Sequence, residues 1–383
     1  MELDKIPIPT FLAQQRDEVA PPELQPLFLD FEEFWERKLW HQLTEALLQF
    51  YNNPASGPQR IPIYKNFVLS FAAKINQLKL VSLGLAAASQ CKDYQEALEF
   101  MTDVAAKVNQ PASRDAYVYA TVETARIKLY LGDLEGARKA LDEAEKILDR
   151  FDSVEPVVNA SFYRVNADYY HTKQEFASYY KNALLYLACI NIADLTPAEQ
   201  QEQAFNLSIA ALLGDSIYNF GELLLHPILD SLKGTDHDWL RELLFAFNAG
   251  DLNKFNALVV HFPKQPVLEK QTSFLREKII LSALTEAVFR RPPHDRAMSF
   301  QTILQETRVF PEEVEYMLMK ALSLGLIRGS IDQVAEVARI SWVQPKVLDR
   351  NQVESMRRNL QEWDTSVNKL GLWMESKLEI PEV

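Results

Sequence analysis

Residues Thr124–Leu148 read TARIKLYLGDLEGARKALDEAEKIL. Leu129, Leu134, Ala137, Ala140, Leu141, Ala144 and Leu148 make one helical face, interrupted once by a tight turn at Gly132. Small Ala and Gly residues at the crossing let two helices approach closely, as tetratricopeptide-type units require. The pattern recurs in KDYQEAL around Tyr94, KQEFASYY around Phe176, GDSIYNFGEL around Ile217 and GDLNKFNAL around Leu252. Aligned on Tyr94, Leu134, Phe176, Ile217 and Leu252, the copies lie 40, 42, 41 and 35 residues apart. In four copies the expected helix opens with an apolar pair three residues apart: Tyr94 and Ala97, Leu134 and Ala137, Ile217 and Phe220, Leu252 and Phe255. A period of this size signals a stack of helical hairpins.

The chain has 383 residues, 48% hydrophobic and 24% charged, with only 11 glycines. Its Ala, Leu, Glu, Lys and Gln bias reads as helix over most of the length. A net charge of −13 favours solubility and argues against general affinity for nucleic acid or anionic membranes. Cys91 and Cys189 sit in helical, apolar surroundings and read as buried free thiols in a reducing compartment: cytosol, nucleus or both. The N-terminal MELDKIPIPTFLAQQ has no signal-peptide pattern, and no apolar run has membrane-spanning length.

Working outward from the repeats, residues 1–26 carry Pro7, Pro9, Pro21, Pro22 and Pro26 and read as an extended leader. A helix is expected from about Leu27 through FEEFWERKLWHQLTEALLQFY, broken by NNPASGPQRIP, with another from Ile63. The helical-repeat arm spans 27–235. A module of the last repeat plus a second fold spans 236–350, and in AFNAGDLNKF Asp251 is the expected N-cap. From about 275 the grammar changes. A helix over Leu275–Phe289 leads to strand-like AMSF, helix FQTILQETR, a helix opened by Pro311 and ended by Gly325, then strands in LIRGSID and EVARISWV. That order is a winged helix over about 275–350. Residues 351–383 hold a separate helix. Val353, Met356, Leu360, Trp363, Val367, Leu370 and Met374 alternate at three and four residues, an a/d seam for packing against other helices. The fold class is therefore mainly α: a helical-hairpin solenoid, a winged helix and a coiled-coil-type C-terminal helix.

Chemistry is harder to find. His41, His171, His226, His237, His261 and His294 include no His-x-x-x-His pair, and no Cys or carboxylate cluster completes a metal set. Asp236-His237-Asp238 reads as a solvated turn. There is no Walker loop, no Gly-x-Ser-x-Gly elbow and no cysteine with activating basic neighbours. No catalytic residue, metal or cofactor is assigned. The helix that a DNA-binding winged helix would insert carries Glu312, Glu313 and Glu315 against Lys320, which repels phosphate. The wing strands are expected to meet another protein.

Helical repeats running without a linker into an acidic winged helix resemble the PCI family of proteasome lid, COP9 signalosome and initiation factor subunits. AFNAGDLNKF (246–255) looks like its characteristic turn. KLWHQLT (38–44), FYRVNADYYHTKQEFASYYKNAL (162–184), LLGDSIYNFGELLLHPIL (212–229), MKALSLGLIRGSIDQV (319–334) and SWVQPKVLD (341–349) resemble the proteasome-lid branch typified by non-ATPase regulatory subunit 13. The resemblance implies a non-catalytic scaffold subunit of cytoplasm and nucleus, supporting lid assembly and ubiquitin-dependent protein catabolism. It implies hetero-oligomeric partners: other PCI and MPN subunits, with a ubiquitin receptor near the arm. The metal motif of the deubiquitinating MPN subunit is absent. Small-molecule substrates, nucleic acid and membranes are not implied. The expected wing-edge interface is Leu326, Ile327, Arg328, Ile331, Ile340, Trp342 and Val343, and the expected bundle contribution is the seam Val353–Met374. The competing readings are a signalosome or initiation-factor PCI subunit, a nucleic-acid-binding regulator, and an enzyme with an unrecognised site.

Overall fold

A computed structural model describes residues 7–19, 21–151, 154–291, 295–345 and 350–378. The chain forms two compact units, Met1–Asp194 and Leu195–Val383. The expected boundary at 235/236 falls inside the second unit.

The first unit opens on a helix where an extended leader was expected. In α1 (Ile8–Gln14), Pro7 is the N-cap and Pro9 lies in the first turn, where no N–H is needed. Phe11, Leu12 and, further on, Leu24 are buried, so this segment packs on the domain. The single helix expected from Leu27 is two: α2 (Gln25–Glu36) and α3 (Trp40–Asn52). Lys38 takes the left-handed conformation at φ +55° without a glycine to announce it. Folding back lets Phe28, Phe31 and Phe50 meet edge-to-face at 5.5–5.8 Å, and Trp35 meet Trp40 at 5.5 Å. After α4 (Arg60–Asn66), three hairpins follow: α5 (Gln77–Ala88) with α6 (Tyr94–Val108), α7 (Arg114–Tyr130) with α8 (Leu134–Leu148), and α9 (Pro156–Thr172) with α10 (Phe176–Cys189).

Tyr94, Leu134 and Phe176 each open the second helix of a hairpin, as the repeat spacing predicts. Gly132 at φ +81° and Gln174 at φ +61° make two of the turns, and Asp133 accepts from the Gly136 N–H at 2.9 Å. Successive hairpins join through side chains that recur with the repeat. The Tyr94 and Tyr130 rings lie 5.5 Å apart, and Arg138 donates to the Tyr170 hydroxyl at 3.1 Å.

In the second unit α11 (Pro197–Leu213) starts in a reciprocal capping box between Thr196 and Glu199. The fourth repeat copy departs from expectation: Ile217 and Phe220 precede the helix, and α12 (Gly221–Leu225) is five residues long. The fifth copy keeps the rule. α13 (Asp238–Ala249) ends at Gly250, φ +66°, and α14 (Leu252–Leu258) starts with Asp251 accepting from Asn253 and Lys254. α15 (Pro266–Lys270) leads to the winged helix: α16 (Thr272–Phe289), β1 (Ala297–Ser299), α17 (Phe300–Thr307), α18 (Val314–Ser323), β2 (Ile327–Asp332) and β3 (Val337–Val343). The antiparallel sheet has order β1-β3-β2. Its inner face and the inner sides of α16, α17 and α18 share one core around Leu284, Ile303, Leu318 and Ile340. The chain continues into α19 (Arg350–Leu378).

Gly250 couples the last repeat to the winged helix. A Cβ here would lie 2.6 Å from the Cα of Ala283 in α16, and the backbone is left-handed besides. Gly132 is also left-handed but has nothing within 4 Å of that position. Gly250→Ala is therefore expected to cost about 3 kcal/mol or more, against about 1 kcal/mol for Gly132→Ala, read by chemical denaturation. Equal losses would show that backbone conformation alone decides the cost and that the approach to Ala283 is irrelevant.

Candidate interaction surfaces

The expected wing-edge residues separate into two groups. The side chains of Leu326, Ile327, Ile340 and Val343 are buried in the winged-helix core and offer no side-chain surface to a partner. Ile331 is half-buried against the same core. Only Arg328 and Trp342 remain at the surface. Strand pairing explains the correction. β3 is the central strand, so its inward residues fill the core and the sheet's edges belong to β1 and β2.

A bulge decides which way Trp342 faces. Arg328 pairs with Trp342 and Gly329 with Ile340, leaving Ser341 as the extra residue of β3. Ser341 Oγ donates to the Arg328 carbonyl at 3.1 Å. At Gly329 a Cβ would lie 2.1 Å from the Arg339 carbonyl oxygen, so the close crossing requires glycine. Strict alternation would send Trp342 inward beside Ile340. The bulge sends Val343 inward and leaves Trp342 36% exposed, with the Arg328 guanidinium 4.7 Å from its ring centre. Arg339, which sequence reasoning passed over, is exposed on this outer face opposite Ser330.

α19 presents the whole predicted seam. Val353, Met356, Leu360, Trp363, Val367, Leu370 and Met374 are each 46–68% exposed, so the winged helix does not cover them. Leu372 and Trp373 add exposed apolar surface near the C-terminal end that the seam pattern does not include.

Titratable groups serve the fold. Among the described residues no group of three or more His, Cys, Asp or Glu could hold a metal ion, and His294 lies outside them. His237 is the residue preceding α13, its ring 4.6 Å from that of Phe205. Cys91 and Cys189 are free but only partly buried, less so than expected, and burial raises both thiols above their usual range. In the arm, buried Glu123 accepts from Ser161 Oγ at 2.6 Å and pairs with Arg126 at 3.0 Å. Among the described residues no helix is long and apolar enough to cross a membrane.

Lys278 is the most unusual of these groups. It lies in α16, 1% exposed, and its Nζ donates to the carbonyls of Ala211, Leu212 and Gly214 at 2.8, 2.8 and 2.5 Å. Those carbonyls end α11, where a helix has unsatisfied acceptors and a negative dipole end. The rings of Tyr218, Phe220 and Phe274 enclose the ammonium at 5.4–5.7 Å. Burial pulls its pKa down to about 7, and the charge of Asp215 opposes that.

Comparison with known families accounts for nearly the whole chain. Residues 27–244 match the PSD13 N-terminal repeats, 257–342 the PCI domain and 346–378 the Rpn9 C-terminal helix. The chain is 46% identical over 352 residues to the probable 26S proteasome regulatory subunit rpn9 of Schizosaccharomyces pombe, covering 92% of each. It is 42% identical to the 26S proteasome regulatory subunit RPN9 of Saccharomyces cerevisiae, covering 97% of each. Likeness to the eukaryotic translation initiation factor 3 subunit M of Aspergillus terreus is 26% and spans 49% of the chain, which disfavours the initiation-factor reading. A repeat arm, a PCI winged helix and an exposed C-terminal helix, matched in that order, place this chain in the Rpn9 family of 26S proteasome regulatory subunits, which includes the non-ATPase regulatory subunits 13.

Proposed function

We propose that this chain is a non-catalytic scaffold subunit of the lid of the 26S proteasome regulatory particle, serving ubiquitin-dependent protein degradation in cytoplasm and nucleus. The observation that carries the reading is the α19 seam: seven apolar side chains at heptad spacing, each 46–68% exposed. The seam's role is to enter a bundle of helices from other PCI and MPN subunits. Its flanking heptad positions are Arg357, Asp364 and Gly371 on one side and Asn359, Ser366 and Trp373 on the other. Arg357 and Asp364 are the charges among these six, so the flanks do little to choose the partner. The exposed Arg328 and Trp342 of the wing form a second contact with a neighbouring winged helix. The repeats over 27–235 act as an arm, near a ubiquitin-receptor subunit, and the module 236–350 anchors it.

Native mass spectrometry of the tagged full-length chain, purified from cells, tests this. The expected result is one copy of the chain in a large assembly with other regulatory subunits. Recovery of the chain alone, or with initiation-factor subunits, would overturn it.

A further inference from the structure

The Lys278 ammonium sits in a site built almost wholly by other residues. An ammonium has three N–H donors and no acceptor, and three backbone carbonyls meet it, those of Ala211, Leu212 and Gly214. Their convergence follows from how α11 ends. Ala211 and Leu212 belong to its last turn, whose carbonyls have no partner within the helix. Gly214, at φ −63° and ψ 123°, leaves the helix and brings a third carbonyl to the same point.

Aromatic rings line the rest of the site. Phe220 is fully buried and packs edge-to-face on Phe247 at 5.9 Å, Tyr218 is buried, and Phe274 lies one turn before Lys278 on α16. Among the described residues no carboxylate pairs with the ammonium. Asp215 acts on it through charge alone, and Glu277 is paired to Lys320. Carbonyl oxygens and aromatic rings gathered around one point make a receptor for a cation. Three carbonyls match the donors of an ammonium and fall short of the roughly six to eight oxygens that calcium takes.

We infer that the end of α11, with Tyr218, Phe220 and Phe274, is an ammonium-binding site whose resident ligand is the side chain of Lys278. It accepts a free primary alkylammonium when that side chain is cut back. The site needs no partner subunit and is independent of the scaffold reading.

Chemical denaturation of full-length Lys278→Ala at pH 6 tests the assignment. n-Propylammonium chloride supplies the carbons and the ammonium that the substitution removes. At this pH the ammonium form dominates in the wild type as well, its pKa being about 7. The folding equilibrium constant of the variant should rise by the factor 1 + [amine]/Kd, about tenfold when the amine stands at roughly nine times its Kd. Sodium chloride, 1-propanol and tetramethylammonium chloride lack either the charge or the N–H donors and should give no such rise, each read against wild type in the same solution. Lys278→Met, whose side chain fills the stem's place, should not respond to propylammonium. A rise of the same size with 1-propanol or tetramethylammonium, a rise shared by Lys278→Met, or no rise at all would each overturn the proposal. Should Lys278→Ala show no cooperative transition by itself, one is expected to appear in propylammonium, and its failure to appear counts against the site. The wild type gives a second reading by magnetic resonance. With nitrogen-labelled lysine at pH 6, one ammonium signal should be protected from solvent exchange and missing from Lys278→Met. A Lys278 ammonium that exchanges as fast as those of surface lysines would also overturn the proposal.

Discussion

Removal of residues 350–383 is expected to leave a folded chain that no longer enters the assembly. α19 contributes exposed seam residues, 46–68% accessible, so its loss removes little buried surface and should leave the thermal transition of the remaining chain nearly unchanged. Within the helix, Trp363 has the largest side chain on the seam and is 68% exposed. Large aromatics that bury on association are typical binding hot spots, and truncating one costs about 2–4 kcal/mol. Trp363→Asp should therefore weaken incorporation roughly thirty- to thousand-fold, whereas Glu362→Ala, off the seam, should change little. Yield of co-purified subunits per tagged chain measures both. Full yield from the truncated chain, or equal behaviour of the two point variants, would dismiss the bundle role.

Lys278→Met should be strongly destabilising to the second unit. The methionine fills much of the same volume but cannot donate, so the carbonyls of Ala211 and Leu212 lose their partner and that of Gly214 keeps only the Ile217 N–H at 3.4 Å. Buried acceptors left unpaired cost about 1–3 kcal/mol each; after local relaxation we expect a net loss of about 3 kcal/mol. The pH dependence gives an independent reading. The ammonium has a pKa of about 7 in the fold, against 10.5 for the unperturbed group. Between those values the unfolded chain binds the extra proton, so stability rises with pH through this window. Wild type should gain on the order of 2 kcal/mol relative to Lys278→Met between pH 7 and 8.5. Denaturant titrations at the two pH values measure the gap; a gap that stays constant means the lysine keeps its proton in the fold throughout.

Much of the architecture was legible because helical hairpins and winged helices are built from local signals. Leu134 and Leu252 open helices behind aspartates that cap them, and Pro311 and Gly325 bracket the winged helix's third helix as read. The failures share a cause: one local signal can serve two conformations. Gly132 and Gly250 are left-handed, but Gly214, in the same Gly-Asp context, has φ −63° and ψ 123°. There the absent Cβ makes room for Ile217, whose Cδ1 would lie 2.5 Å away. The chain therefore runs on extended past Ile217, and the next helix is delayed and short. Lys38 shows the reverse, a left-handed break written without glycine. In the wing, hydrophobic alternation picked out the right strands but could not reveal the extra residue at Ser341. Four of the expected wing-edge side chains thus lie in the core, and the exposed Arg339 was passed over. The α19 seam was readable because an a/d repeat depends on the helix alone.

The Lys278 clasp also orders events in time. Its acceptors lie 64–67 residues upstream in the chain. During synthesis the first three hairpins can close as each pair of helices leaves the ribosome, since their contacts are with immediate neighbours. α11 emerges with its last carbonyls bonded to water, and they wait for residue 278 before they can be buried. The second unit is consequently completed late, and a nascent chain stalled before α16 would carry a finished first unit and an unfinished second one.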